Sequence, residues 1–345
     1  MQKLFKLYKK TDIIVIIVGI LLLIISIIIA TTIGYATITP LETFKIIVNK
    51  FSDVFDSSDF PVNSEINILL VRLPRVLGSA LAGIGLTLAG IIFQSILKNP
   101  MAEPYVLGVS SGAALGAGVS IILGASIAQI PVGYTTPIFA LIGAVLASIA
   151  VIFIAGNSLN STRIILYGVS FNFFLSSLLT LLISLNYERS SDILFWTMGS
   201  FAAMNYFKII VLLVAVMIGI MVSVYFIKEL NLFTMGIPVA HSLGLNVKKY
   251  RFILLITASI LTGIIVSFSG IIGFVGLIIP HLTRLFVGSD HKKVLMVSLP
   301  LGAIFMIFCD TIARSFPIHE LPVGVVTSII GAPIFIYLLK KRSKI

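Results

Sequence analysis

Apolar runs of about 18 to 23 residues recur along the whole chain, and none alternates with the period of two that marks a half-buried strand. A run of that length, coiled as an α-helix, crosses a hydrocarbon core of roughly 30 Å. Lipid offers no partner to backbone N–H and C=O groups, so a spanning chain must satisfy them internally, as helices or as a closed barrel. Continuous apolar runs select helices. The pattern predicts an all-α, polytopic membrane helix bundle of ten spans, at about 13–32, 76–97, 105–127, 137–155, 164–185, 209–227, 252–269, 271–286, 294–312 and 323–339.

Only Gly270 separates the seventh run from the eighth, and one long kinked helix there would invert the sidedness of everything after it. Gly270 and Gly273 favour a tight reversal, because glycine takes backbone angles that other residues avoid. Ten spans place both termini on one side. That side carries Lys98, Arg163, Lys228, Lys248, Lys249, Arg251, Arg284, Lys292, Lys293 and the terminal Lys3, Lys6, Lys9, Lys10, Lys340, Lys341, Arg342 and Lys344. The excess of basic residues makes it the cytoplasmic side. The other side keeps Lys45, Lys50, Arg72, Arg75, Arg189, Lys208 and Arg314, and its first loop also carries Asp53, Asp56, Asp59 and Glu65.

Composition narrows the class. Of 345 residues, 58% are hydrophobic and 11% charged, against about 25% charged in a soluble domain. The net charge of +11 suits nucleic acid on a soluble protein, but here its concentration at one membrane face explains it, and no nucleic-acid partner is expected. No Ser- or Gly-rich linker divides the chain, so residues 1–345 read as one transmembrane domain. The basic front followed by the first apolar run resembles a secretory signal, yet the run is long, lacks a clear small-residue cleavage site and precedes further spans, which favours a retained helix. A single cysteine, Cys309, excludes an internal disulfide and a cysteine metal cluster.

The segment at about 229–249 is too polar to span and too apolar for a plain solvated loop. Asn231 suits the start of a short helix, Gly236 and Pro238 a break, and Ala240 to Leu243 a second short helix stopped by Gly244. Two readings stand: paired helices pressing Leu232, Met235, Ala240 and Leu243 into a cytoplasmic partner, or an amphipathic stretch lying on lipid headgroups. Arg72, Arg75 and Arg314 fall at outer ends of spans, where they either anchor to headgroups or pair with carboxylates of an external protein. Asp310 and Arg314, four apart on one helix, also suit an internal ion pair. Gly108, Gly112 and Gly116 repeat every fourth residue, a small-residue face for close helix packing.

What is absent is informative. There is no phosphate-binding Gly-x-x-x-x-Gly-Lys-Ser/Thr loop, and no Gly-x-Ser-x-Gly elbow or His-Glu-x-x-His motif. His281 has no second histidine or carboxylate at ligand spacing, so no metal site is expected. The chain reads as a transport subunit without catalysis of its own. A gradient-driven secondary transporter is the rival of another class, and it needs ionisable residues within its spans; few are present.

The residues then become recognisable as a set. Arg72-Leu-Pro-Arg75, Ala82-Gly83, Gly90, Gln94, the run Asn99 to Pro104 and the run Leu107 to Ala113 resemble the permease family that imports ferric siderophores, haem or cobalamin with the help of ATP. Gly270, Gly273 to Leu277, Pro280-His281, Asp290-His291, Leu299-Pro300, Gly302-Ala303, Asp310 to Arg314, Glu320 to Gly324 and Gly331 to Pro333 continue it in order. The resemblance implies a homodimer, or a pair with a close paralogue, two cytoplasmic ATPase subunits that bind ATP and magnesium, and an external substrate-binding protein. No cofactor is implied in this chain. It implies ATPase coupling through Gly236, Ala240, Leu243 and Gly244, docking of the binding protein at Arg72, Arg75 and Arg314, and a cytoplasmic gate at Asn99, Met101, Ser161 and Thr162. The expected cargo is an iron complex, ferric siderophore or haem, with cobalamin or an oxyanion such as molybdate as alternatives.

Overall fold

The computed structural model describes residues 10–34, 38–52, 63–124, 132–156, 160–316 and 320–342. In chain order its helices are α1 (Lys10–Thr32), α2 (Pro40–Ser52), α3 (Ser64–Leu97), α4 (Val109–Leu123), α5 (Val132–Ala155), α6 (Ser161–Leu185), α7 (Ser190–Met198), α8 (Tyr206–Tyr225), α9 (Ile227–Met235), α10 (Ile237–Ser242), α11 (Val247–Ser269), α12 (Val275–Val287), α13 (His291–Arg314) and α14 (Val323–Arg342). No strand occurs among the described residues. The ten predicted spans correspond to α1, α3, α4, α5, α6, α8, α11, α12, α13 and α14. Eight are long and apolar enough to cross a membrane, whereas α4 and α12, with 15 and 13 residues, are shorter. The expected end of the third span at 127 lies outside the described residues. So do Asp53, Asp56, Asp59 and the terminal Lys3, Lys6, Lys9 and Lys344.

α3 is the central pillar, with its apolar residues from Val76 to Leu97 buried on nearly every side. Its glycines make that possible. A Cβ on Gly83 would overlap the Gly302 carbonyl of α13, and one on Gly90 would overlap the Gly276 carbonyl of α12. Without a hydrophobic driving force between helices in lipid, such backbone-to-backbone approach supplies much of the packing. The same device joins α4 to α5. Gly112 and Gly116 lie against the carbonyls of Gly143 and Phe139, while Gly108, at φ +80°, forms the turn into α4 and makes only ordinary contact with Ala147.

The expected reversal at Gly270 is present. α11 runs antiparallel to α3, because Leu254, Leu255 and Ala258 share a cluster with Ile92 and Ile96, whereas Ile265 joins Ala82 and Leu86. α12 runs the other way: Gly276 faces Gly90, and Arg284 reaches Gln94 and Ser95 near the end of α3. Between them Gly270 and Phe274 hold positive φ angles of 70° and 69°. The side chain of Tyr105 satisfies this irregular backbone: its hydroxyl donates to the Ile272 carbonyl at 2.5 Å and accepts from the Ile272 N–H at 3.2 Å.

The bundle therefore has two ends. One gathers Lys98, Arg163, Lys228, Lys248, Arg284 and Lys292 and is called inner from its charge. The start of α1 lies there, since Lys292 pairs with Asp12 at 3.2 Å. The other, outer end gathers Arg72, Arg75, Arg314 and the end of α1.

Candidate functional site

At the outer end, the three arginines singled out by sequence converge on one cluster. Arg72 Nη1 donates to the carbonyls of Thr32 at 2.8 Å and Thr31 at 3.4 Å, capping the C-terminus of α1. Arg75 Nε donates to both oxygens of Asp310, at 3.0 and 3.1 Å, and its Nη1 to Glu320 Oε2 at 2.7 Å. Arg314 donates to the Ala30 carbonyl, and its Nε stands 3.8 Å from Asp310 Oδ2. A position at the water boundary was the expectation. They stand at that end of the bundle but beneath its surface: the three arginines are 6–7% exposed and Asp310 is 1% exposed. Burial is sustained because helix-end carbonyls and carboxylates compensate the guanidiniums. Asp310 and Arg314 make the expected helix-face pair, with Arg75 as a third member that spacing did not reveal.

At the inner end, the 229–249 segment folds as two short helices. Gly236, at φ +121°, separates α9 from α10, and Gly244, at φ +83°, ends the pair. Pro238 sits in the first turn of α10 and starts that helix, where its missing N–H costs nothing. Asn231 lies within α9, a turn beyond its start, and does not begin it. Of the four apolar residues expected to face a partner, Met235 and Leu243 are exposed, at 61% and 62%. Ala240 is buried and Leu232 half-buried, both packed inward against the inner cluster. Val239, 42% exposed, joins the outward set.

The candidate gate residues lie at this same end. Asn99 Oδ1 accepts the Met101 N–H at 2.9 Å, bending the chain so that Met101 projects half-exposed while Ala102 is buried. Ser161 and Thr162 open α6, whose N-cap is Asn160, accepting the Thr162 N–H at 2.9 Å. Arg251 donates to Ser161 Oγ at 3.2 Å. Ala102 and Ile164 share one apolar cluster, so the loop after α3 and the start of α6 adjoin.

A buried polar chain that sequence reasoning did not assemble links these parts. Asn231 Oδ1 of α9 accepts the His291 backbone N–H at 3.0 Å and lies 2.7 Å from its Nδ1. His291 Nε2 lies 2.5 Å from Ser95 Oγ. Arg284 donates to Ser95 Oγ at 3.4 Å and to Gln94 Oε1, and Gln94 Nε2 donates to the Gly276 and Leu277 carbonyls, both at 3.1 Å. Gln94 stands 190 residues before Arg284, and no spacing along the sequence reveals that it meets Arg284 or that Ser95 beside it meets His291. Among the described residues no group of three or more His, Cys, Asp or Glu side chains is placed to hold a metal ion.

On one face, α6 carries the exposed hydroxyls Ser170, Ser177, Thr180 and Ser184, separated by seven, three and four residues. Ser177, Thr180 and Ser184 each donate to the carbonyl four residues back, and the same face also carries exposed Phe173 and, two turns before Ser170, Arg163.

Comparison with known proteins places these features. Residues 22–341 match the model of the FecCD transport family. The chain is 38% identical to the uncharacterized ABC transporter permease protein YvrB of Bacillus subtilis over 333 residues, covering 95% of this chain and 94% of the relative. It is 36% identical to the cobalamin import system permease protein BtuC of Halobacterium salinarum, covering 82% and 75%. A solved structure, an inward-facing conformation of an ABC transporter of the metal-chelate type, superposes with a TM-score of 0.79 at 31% identity, covering 94% of this chain and 98% of that one. A helix bundle of this order, with these relatives along nearly its whole length, is a multi-pass ABC importer permease of the cell membrane, and the chain belongs to the FecCD transport family.

Proposed function

We propose that this permease moves an iron complex, a ferric siderophore or haem, delivered by an external substrate-binding protein, and that two cytoplasmic ATPase subunits drive it. The observation that carries this reading is the inner helix pair α9 and α10. Its glycine-hinged turn projects Met235, Val239 and Leu243 out of the bundle beside buried Ala240, an apolar knuckle suited to a groove in a partner. The pair would transmit ATP-driven closure, with Gly236 and Gly244 permitting the two turns. A ligand or partner shifts a two-state equilibrium only by its differential affinity for the states, so this contact is where energy enters.

Other features support the scheme. Arg75 and Arg314 share Asp310, Arg75 also pairs with Glu320, and Arg72 caps the end of α1. In this reading Arg72, Arg75 and Arg314 attract the acidic surface of the binding protein from just beneath the surface. The hydroxyl face of α6 would line a central pathway against a second copy of the chain or a close paralogue, with the loop at Asn99 and Met101 and the start of α6 at Ser161 and Thr162 closing its inner mouth. A face that mixes hydroxyls with the exposed ring of Phe173 suits a bulky, partly apolar chelate. Cobalamin and molybdate-like oxyanions remain the alternative cargoes, the first because a relative is named for cobalamin import.

A gradient-driven transporter is disfavoured by a specific observation. Asp310, the most buried carboxylate within the described helices, is engaged by two arginines and so is poorly placed to pick up and release a coupling ion.

The test is import in proteoliposomes containing the permease, its ATPase subunit and its binding protein, with ferric siderophore, haem and cobalamin compared. Native protein should import one of these with ATP hydrolysis stimulated by loaded binding protein. Met235→Asp with Leu243→Asp should abolish both while leaving the permease folded. Import without the ATPase, driven by an ion gradient, would overturn the reading.

A further inference from the structure

Beside α9 the inner end holds a cavity of about 360 Å³ with no assigned role. Its lining includes Lys98, Arg284, His281, Ser95, Thr234 and Ser289. The charge is one-sided. None of the ion pairs among the described residues involves Lys98 or Arg284. Arg284 is instead oriented by neutral partners, Gln94 Oε1 and Ser95 Oγ. That leaves most of its five donors unused, on a guanidinium whose planar fork matches a carboxylate.

The cavity is also built rather than incidental. Ser95 is held by His291, and His291 by Asn231 of α9, which itself donates to Asp290, so the wall behind Arg284 is a continuous chain of hydrogen bonds. Lys98 takes a left-handed turn at the end of α3, φ 49°. Its Nζ lies so close to Gly236 that a methyl there would come within 2.7 Å of it. The cationic rim thus adjoins the hinge between α9 and α10, the element on which the proposed ATPase subunit sits.

We infer that this cavity is a socket for a carboxylate side chain of the ATPase subunit, gripped by Lys98 and Arg284 next to the apolar contacts of Met235 and Leu243. The inference rests on the ATPase-coupled reading above and deepens it. Two cations without an internal counter-charge favour an anionic partner, and their continuity with the α9–α10 surface favours a protein one. Charge-assisted, bidentate pairing here adds direction to an otherwise apolar contact. The socket also reaches inward: Arg284 holds Gln94, and Gln94 holds the first carbonyls of α12. A carboxylate seated on Arg284 is therefore mechanically continuous with the reversal at Gly270 to Phe274.

The test uses the full chain assembled with its ATPase subunit in phosphatidylcholine nanodiscs, treated with a carbodiimide and read by peptide mass spectrometry. The reagent joins an amine to a carboxylate only where the two touch. Lys98 is expected to be linked to an Asp or Glu of the ATPase subunit. Lys98→Arg, which keeps the charge but yields no such product, should lose that link while the ATPase still co-purifies. Lys98→Glu should weaken subunit affinity by about tenfold or more. The inference is overturned if the assembly forms and other inner-end lysines are linked across it while Lys98 stays open to an amine-acetylating reagent. It is equally overturned if Lys98 is shielded only by added inorganic phosphate or phosphatidylglycerol, which would make the socket a free-anion or lipid site. Failure of the native chain to retain any ATPase subunit would instead overturn the parent reading, and this one with it.

Discussion

Arg75 and Asp310, 235 residues apart in the chain, meet in a buried ion pair with Nε 3.0 Å from Oδ1. The pair ties α3, about three turns from its start, to the last turns of α13. Arg314 shares the same carboxylate and also reaches back to the end of α1.

Removing Asp310 leaves two guanidiniums buried without their common counter-charge, a loss of about 3–5 kcal/mol for breaking a buried pair. Asp310→Ala should accordingly lower the thermal midpoint steeply or abolish folded yield. Glu320→Gln removes a carboxylate that is 45% exposed and should cost no more than about 1 kcal/mol. Thermal unfolding in matched detergent checks this, and equal losses for the two variants would contradict it.

Close backbone contact in the α3 core predicts a sharp contrast between glycines. Gly90→Leu drives a side chain into the Gly276 carbonyl of α12, where backbone must move, whereas nothing lies within 4 Å of a Cβ on Gly133. The first variant should fail to give monodisperse protein and Gly133→Ala should behave as native on size-exclusion chromatography. A well-folded Gly90→Leu would show that the helices are not so closely apposed.

The two hinge glycines of the inner pair are not equivalent. At Gly244 the space is open and only the left-handed angle resists a side chain, costing about 1–2 kcal/mol for most residues and less for asparagine. At Gly236, φ 121° and ψ 151°, the backbone lies in a region open almost only to glycine, while the nearby Lys98 Nζ ends a flexible side chain that can move aside. Limited proteolysis should therefore cut the α9–α10 pair faster in Gly236→Ala than in Gly244→Asn, with the native chain slowest.

Glu103 lies in the connection between α3 and α4. Burial pushes its carboxyl up to about 7, against the opposing hydrogen bond from the Phe274 backbone. Unfolded, the group titrates near its ordinary value of 4.5. Between those values the folded chain keeps a proton that the unfolded chain releases, so stability falls as pH rises through the window. Glu103→Gln should flatten the midpoint between about pH 5 and pH 8, with its largest gain over native at pH 8. An unchanged slope would remove Glu103 as its source.

Much of this architecture was legible in the sequence because its causes are local. Runs of apolar residues marked ten helices, and Gly270, Gly236 and Gly244 marked breaks that appear as positive backbone angles. The burial of Arg72, Arg75 and Arg314 was not legible. Hydropathy assigns an arginine to water unless its partners are known, and here they are the carbonyls of α1 and a carboxylate on α13. The chain from Asn231 through His291 and Ser95 to Gln94 escaped for the same reason. Each member is an ordinary polar residue in its own helix, and only the packing of α3, α9, α12 and α13 brings them within reach.

The reversal at Gly270 to Phe274 sets the thickness of the wall that α12 provides. Thirteen residues rise only about 20 Å as a helix, roughly 10 Å short of a hydrocarbon core. Backbone that is neither helix nor sheet persists at such depth only where protein encloses it or water reaches it. Tyr105 encloses Ile272, but a Cβ on the neighbouring Gly273 meets nothing within 4 Å. On that side the helical wall of α12 is shorter than the hydrocarbon layer it stands in, and the backbone before it must make up the difference.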